Sequence, residues 1–85
     1  MGLLYELSRY VESFSTEEAC GYFGSEIINI ANYYEVGEFD TVTTLLESLC
    51  TEINNYAGGN LITDFSVNEE GCFVEIYDGT VINAV

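Results

Sequence analysis

The carboxylates are the side chains of this chain most able to do chemistry, because there are so many of them. Its 85 residues include fifteen Asp and Glu against a single basic residue, Arg9, with no His, which gives a formal net charge of −14. A small domain usually carries a net charge of magnitude about 2 to 8, so solubility alone does not require this acidity. Self-repulsion of this size destabilises a compact state. We therefore expect the electrostatic field of these carboxylates to serve a function. Its natural partner is a strongly basic surface.

Enzymatic chemistry is disfavoured by the residue types that are missing. The chain has no His to act as a general base and no Lys to form a Schiff base or hold a phosphate. The adjacent carboxylates Glu17-Glu18 and Glu69-Glu70 fall at a predicted helix start and a predicted turn, where solvated surface explains them better than glycosidase-like chemistry does. We therefore predict a protein that is not an enzyme and needs no cofactor.

A metal site is also disfavoured, although one loop invites the comparison. Glu35, Glu38 and Asp40 place three carboxylates close together, and hard cations such as Ca²⁺ prefer oxygen ligands. Their spacing does not match an EF-hand, so a solvated loop is the better interpretation. The three cysteines form no CxxC pair and lack the His residues that usually complete a zinc site, so we expect buried, reduced thiols. These cysteines are Cys20, Cys50 and Cys72.

The same charge balance bears on nucleic acids and membranes. Binding to a phosphate backbone draws its affinity from Lys and Arg that displace counterions, so direct binding to DNA or RNA is disfavoured. Carboxylates, however, accept the same bidentate hydrogen bonds from Arg that phosphate oxygens accept, so a rigid acidic surface can occupy a basic groove built for nucleic acid. No apolar stretch approaches the roughly 18 residues that span a bilayer, and the first residues lack a signal-peptide pattern. We expect a cytoplasmic protein without membrane contact.

Carboxylates in and around the second and third predicted helices are the candidate partner-binding residues. Neighbouring rows on a helix repeat at about 5 to 6 Å, a spacing that flexible Arg and Lys partners can match. The sequence leaves open whether the charges share one face or are dispersed over the domain. The candidates are Glu17, Glu18, Glu35, Glu38, Asp40, Glu47 and Glu52.

Apolar residues recur at helical spacing in three segments before Gly58. Ser15 and Glu18 form a capping-box pattern at the start of the second segment, and Asp40 can cap the third. Gly58 supplies the left-handed residue that commonly follows a helix. The predicted helices cover residues 2–13, the segment from Ser15 to Tyr34, and the segment from Asp40 to Tyr56.

Three strand-like runs follow Gly59. Asp78-Gly79 predicts a two-residue type I′ hairpin turn, which sets Tyr77 opposite Thr80. A four-residue turn before the second run would place Val67 opposite Cys72. The runs are residues 60–67, 72–77 and 80–85.

These elements predict one α+β domain over residues 1–85, in which three N-terminal helices (1–58) pack on a C-terminal three-stranded antiparallel sheet (60–85). In the predicted register, the second face of the sheet carries four large apolar side chains. A patch of this kind commonly marks a contact site. Either a helix covers it, or it mediates homodimerisation or partner docking. The four residues are Ile62, Phe73, Tyr77 and Ile82.

Small size, extreme acidity, the lack of Lys and the α+β pattern resemble those of phage and mobile-element inhibitors that mimic DNA, including anti-CRISPR and anti-restriction proteins. The resemblance covers the whole chain on composition and size, with no family motif matched. It implies a stoichiometric inhibitor that docks on the basic nucleic-acid channel of a host defence nuclease or CRISPR-Cas complex in the host cytoplasm. Two alternatives stay open: an acidic adaptor or antitoxin-like interaction module, which could be homodimeric through the sheet, and a halophilic domain.

Overall fold

A computed structural model describes residues 2–12 and 14–85 of the chain. Three helices precede one antiparallel sheet with the strand order β1-β2-β3. The protein is therefore a mixed α+β fold in which the helices come first and the sheet follows, as the sequence predicts. The elements are α1 (Gly2–Ser8), α2 (Thr16–Glu35), α3 (Phe39–Ala57), β1 (Ile62–Asn68), β2 (Gly71–Ile76) and β3 (Val81–Asn83).

The first helix is shorter than predicted. α1 ends at Ser8, so the predicted extension towards residue 13 is wrong. The N–H groups of Arg9 and Tyr10 bond to carbonyls three residues back, which is the tight spacing that often closes a helix. Ser13, the last residue of the predicted helix, lies outside the described residues.

The α2 helix begins at the predicted cap. Ser15 Oγ accepts a hydrogen bond from the N–H of Glu18 at 3.3 Å, which confirms Ser15 as the N-cap. The Glu18 carboxylate instead joins the two long helices, because its Oε2 accepts a hydrogen bond from the Tyr56 hydroxyl at 3.1 Å. α2 is thereby linked near its start to the end of α3.

Only the C-terminal end of α3 is as predicted from the sequence. Its N-cap residue is Glu38, which makes no side-chain capping bond, so the predicted Asp40 cap is wrong and Asp40 lies in the first turn. Gly58 follows the helix with a φ of 81°, in the left-handed region, as predicted. Its N–H bonds to the carbonyls of Asn54 and Asn55 and so satisfies the end of the helix.

The core lies between the helices and one face of the sheet. α2 contacts both other helices, while α1 contacts β3 and α3 contacts β1. α3 contributes a stripe of fully buried side chains at helical spacing, as its sequence pattern predicts. None of the helices formed by the described residues is both long enough and apolar enough to cross a bilayer. The largest fully buried side chains from the helices are Leu4, Leu7, Ile30, Val42, Leu46, Leu49 and Ile53.

The β1–β2 turn follows the predicted register. Val67 lies opposite Cys72, and Asn68 lies opposite Gly71. Asn68 closes the turn by accepting a hydrogen bond from the N–H of Glu70 at 2.8 Å. The Tyr34 hydroxyl donates to the Asn68 carbonyl at 2.6 Å, so the end of α2 is fixed to this turn.

The β2–β3 hairpin contains a three-residue loop, so the predicted two-residue type I′ turn is wrong. The Ile76 N–H donates to the Thr80 carbonyl at 2.8 Å across the loop Tyr77-Asp78-Gly79. Gly79 has a φ of 91°, the left-handed conformation that the last residue of such a loop adopts. Asp78 Oδ1 accepts a hydrogen bond from the Thr80 N–H at 2.9 Å and stabilises the same loop.

The extra loop residue shifts the register by one position, and a one-residue shift moves every side chain of a strand to the other face. Ile82 and Ala84 therefore join the core, whereas Val81 is exposed. β1 has its own irregularity between Ile62 and Asp64, which leaves Ile62 buried as well. The prediction that Ile62 and Ile82 belong to the outer face is wrong.

Candidate functional site

The predicted partner-binding carboxylates are spread along the α2–α3 hairpin rather than gathered in one patch. Because the start of α2 meets the end of α3, the two helices run antiparallel. Glu17 and Glu18 lie at the end of the hairpin that is far from its loop. Glu35, Glu38 and Asp40 lie at the loop end. All five of these side chains belong to exposed residues.

The two remaining candidates lie on opposite flanks of α3. Glu47 and Glu52 are five residues apart, which is about 140° around a helix of about 100° per residue. Glu47 borders a shallow depression beside β1, together with Asn54 and Asp64. Glu52 lies on the other flank, where it meets Glu26 of α2. The structure therefore separates Glu47 from the carboxylates on the α2 side.

The seam between α2 and α3 carries a row of carboxylates and tyrosines. Glu18, Tyr22 and Glu26 follow at four-residue spacing along α2, which stacks them on one flank of the helix. Glu52 and Tyr56 show the same spacing on α3. We call these five residues the α2–α3 face. Three of them, Tyr22, Glu26 and Tyr56, are absent from the predicted site, although the four-residue spacing on α2 is visible in the sequence.

The tyrosines of the α2–α3 face rest on the core. The Tyr22 side chain is 66% exposed, and its ring centroid lies 5.5 Å from that of Tyr56. Tyr56 makes edge-to-face contacts with Phe14 at 5.2 Å and Phe23 at 5.7 Å. Aromatic pairs in such geometries stabilise each other beyond the area they bury, so both tyrosines are held in place. The hydrogen bond from Tyr56 to Glu18 fixes the carboxylate beside them.

Negative charge is crowded on this face. Partial burial, a hydrogen bond with Glu52 and repulsion from Glu52 together raise the pKa of Glu26. Desolvation and the hydrogen bond to Glu18 raise the pKa of Tyr56, which keeps its hydroxyl protonated as a donor. A cation bound at the seam would favour the charged form of Glu26 and so oppose the rise in its pKa.

The one basic side chain of the protein is engaged elsewhere. Arg9 follows α1, and its Nη1 lies 3.6 Å from Glu6 Oε2. The α2–α3 face contains no Lys or Arg, so its carboxylates have no cation of their own. Any cation that meets them must come from a partner.

The outer face of the sheet is not the apolar patch that the sequence predicts, because two of its four members are in the core. Tyr77 is exposed but stacks edge-on against Tyr10 at 6.0 Å. Phe73 is partly buried, and its ring lies over Gly71. Asp64 lies directly opposite Glu75 on the same face, which makes it acidic rather than apolar.

Cys50 and Cys72 are buried as predicted, whereas Cys20 is only half-buried, so the prediction of a buried thiol is wrong for Cys20. Burial raises the pKa of Cys50 to about 12, with a smaller contribution from Cys72, and burial raises the pKa of Cys72 to about 11. Cys20 is half-buried, and all three are free thiols. Within residues 2–12 and 14–85, no group of three or more His, Cys, Asp and Glu side chains is arranged to hold a metal ion.

The α2–α3 face is thus an aromatic and acidic surface on a fixed helical hairpin, and it suits a positively charged protein partner. It presents an exposed tyrosine ring between carboxylates. No protein-family model matches this chain, and no curated protein or solved structure is significantly similar to it.

Proposed function

We propose that this protein is a stoichiometric inhibitor that binds the basic nucleic-acid channel of a host defence nuclease or CRISPR-Cas complex. The observation that supports the proposal most directly is the α2–α3 face, in which three carboxylates and two tyrosines line one seam without a Lys or Arg. Such a surface offers Arg and Lys the same hydrogen-bond acceptors as a phosphate backbone. It would act where the target acts, in the host cytoplasm.

The spacing of charge along the hairpin fits a groove-like partner. At about 1.5 Å per residue, Glu18 and Glu26 are about 12 Å apart along α2. Glu35 lies nine residues beyond Glu26, about 13.5 Å further along the axis and about 180° around the helix, so a partner that contacts both must wrap around the end of the hairpin. Negative charge is therefore present at both ends and in the middle of the hairpin. One DNA strand carries a phosphate for about every 3.4 Å of helix axis, so the protein offers separate charge clusters rather than a continuous ladder. Long Arg and Lys side chains in a channel can converge on such clusters.

The hairpin is also fixed before it meets a partner. α2 is capped by Ser15 at one end and joined to the β1–β2 turn by the Tyr34 hydroxyl at the other. Tyr56 links the far end of α3 to Glu18. A surface that needs no ordering loses less free energy on binding than a flexible acidic segment would.

A cleavage assay tests this proposal. Restriction endonucleases and Cas effectors cut labelled duplex DNA while the protein is titrated in. We expect at least one enzyme to be inhibited at stoichiometric protein, with inhibition reversed by an excess of uncleavable duplex or guide RNA and weakened by added salt. Inhibition that is insensitive to salt and to competing nucleic acid would instead support the general acidic interaction module.

Matched variants assign the inhibition to a surface. The triple variant Glu18→Gln, Glu26→Gln, Glu52→Gln removes three carboxylates from the α2–α3 face. The control Glu69→Gln, Glu70→Gln, Glu75→Gln removes three from the β1–β2 turn and the sheet. At about 0.2 to 1 kcal/mol for each exposed charge pair, the first variant should weaken inhibition by about tenfold. Equal losses in both variants would mean that only net charge matters.

A further inference from the structure

We infer that the α2–α3 face selects arginine over lysine side chains, with Tyr22 as the stacking surface and Glu18 as the carboxylate that receives the guanidinium. This inference rests on the proposed function and specifies the partner as an arginine-rich protein surface. It follows from the positions of Tyr22 and Tyr56 relative to the Glu18 carboxylate, which the net charge alone does not specify.

Tyr22 presents an aromatic face in a fixed position. Two thirds of the side chain is exposed, yet its ring is held by Tyr56 at 5.5 Å and by Phe23 at 6.1 Å. Both contacts are tilted, so they hold the ring from its own helix and from α3 while leaving ring surface open to solvent. An exposed aromatic ring fixed in this way can receive a flat group without first being ordered.

Glu18 stands beside that ring. The two residues are four apart on α2, where side chains are neighbours at about 5 to 6 Å. Glu18 is exposed, and its bond to the Tyr56 hydroxyl uses Oε2, one of its two oxygens. The carboxylate is therefore oriented by Tyr56 and can still accept from a partner. A group that stacks on Tyr22 lies within reach of this acceptor.

Only arginine can both stack on the Tyr22 ring and donate hydrogen bonds to the Glu18 carboxylate. Its guanidinium is planar, stacks on aromatic faces and carries donors in a fork that matches a carboxylate. The lysine ammonium is compact and strongly hydrated, so it gains from the carboxylate but little from the ring. Glu26 and Glu52 continue the same seam and supply acceptors for a second arginine. A second copy of this chain offers a single arginine, Arg9, which already pairs with its own Glu6, and it has none to offer to Glu26 and Glu52.

Titration calorimetry with oligo-arginine and oligo-lysine peptides of equal length tests the selection. The expected preference for arginine is about two- to fivefold for each stacked guanidinium at an exposed ring. Tyr22→Ala should remove this preference by weakening the arginine peptide alone, while Tyr22→Phe should keep it. Tyr5→Ala is the matched control, since Tyr5 is exposed to a similar extent on α1. Circular dichroism checks that each variant is folded.

Equal affinity for both peptides, a preference that survives Tyr22→Ala, or no binding by either peptide overturns the inference. Glu18→Gln should weaken both peptides, because both use the carboxylate. The proposed function fails separately, if no nuclease or Cas effector is inhibited in competition with nucleic acid. Selection of arginine without such inhibition would leave the site intact and reject the inhibitor role.

Discussion

Replacing Asn54 by Ala should destabilise the protein because this side chain satisfies both backbone groups of Ile62. The Asn54 amide donates to the Ile62 carbonyl at 3.0 Å, and its Oδ1 accepts from the Ile62 N–H at 2.8 Å. At about 0.5 to 1.5 kcal/mol for each hydrogen bond, the free energy of unfolding should fall by about 1 to 3 kcal/mol. Proteins of this length have only about 4 to 13 kcal/mol in total, so the loss is readily measured.

Urea denaturation followed by circular dichroism measures this loss as a lower midpoint at an unchanged slope. Asn55→Ala is the matched control, because Asn55 is the next residue on α3 and its side chain is exposed. It should change the free energy of unfolding by less than about 0.5 kcal/mol. Asn54→Asp keeps the acceptor, loses the donor and places a negative charge in the last turn of α3, so it should not rescue stability. The reasoning is refuted if Asn54→Ala and Asn55→Ala have the same midpoint.

Three further predictions concern the register, the hairpin loop and the carboxylate pair. In urea denaturation, Ile82→Ala should lower the free energy of unfolding by about 2 to 5 kcal/mol, because Ile82 is in the core. Val81→Ala should lower it by less than about 0.5 kcal/mol. The reverse order would support the register predicted from sequence. Gly79→Ala should cost about 1 to 2 kcal/mol in the same assay, because a Cβ is strained at its φ of 91°. Burial and Glu52 raise the pKa of Glu26 above its usual value of 4.5, so the folded state keeps the proton on Glu26 to a higher pH than the unfolded state does. The folded state therefore loses stability as the pH rises from 4.5 through the raised pKa. Calorimetry should therefore find Glu26→Gln more stabilising at about pH 7 than at about pH 4, and an equal effect at both would contradict this pKa shift.

Local signals in the sequence were enough to place the three helices, but not the end of α1 or the start of α3. The apolar stripe of α3 indicates a helix whatever the surrounding fold. Ser15 marks a helix start because its side chain caps a backbone N–H, and Gly58 marks a helix end because it adopts the left-handed conformation. The end of α1 was predicted wrongly because apolar spacing continues to Phe14 beyond the helix. Phe14 is buried beside Tyr56 from a non-helical segment, so its burial says nothing about helix length.

The register of β3 could not be predicted from Asp78-Gly79 alone. That pair fits a two-residue turn and also the end of a three-residue loop, since both use a left-handed glycine. The choice between them depends on whether Ile82 or Val81 enters the core. That is decided by the space that the helices and β2 leave, which is a tertiary property. The predicted outer face lost Ile82 to the core for this reason, and it lost Ile62 through the irregularity in β1.

The candidate site was predictable in type and only partly in position. Helical geometry places Glu47 and Glu52 on different flanks of α3, but the sequence does not say which flank meets α2. Glu26 gains its role only through that pairing, since its neighbour Glu52 lies on another helix. Tyr22 belongs to no motif that the sequence analysis identified, and its contact with Tyr56 of α3 becomes evident only when the helices are packed.

The geometry also separates the two surfaces that the sequence left as alternatives. Stacking two copies through the outer face of the sheet would bring Asp64 and Glu75 of each copy together around Phe73, with no Lys or Arg on that face. Like charges brought together at an interface cost several kcal/mol, which the exposed Val81 and the partly buried Phe73 of that face would have to offset. The α2–α3 face has the same sign of charge, but its exposed tyrosine adds a contact that a cationic partner can use. Self-association through the outer sheet face would therefore have to overcome the repulsion between the carboxylates that it brings together.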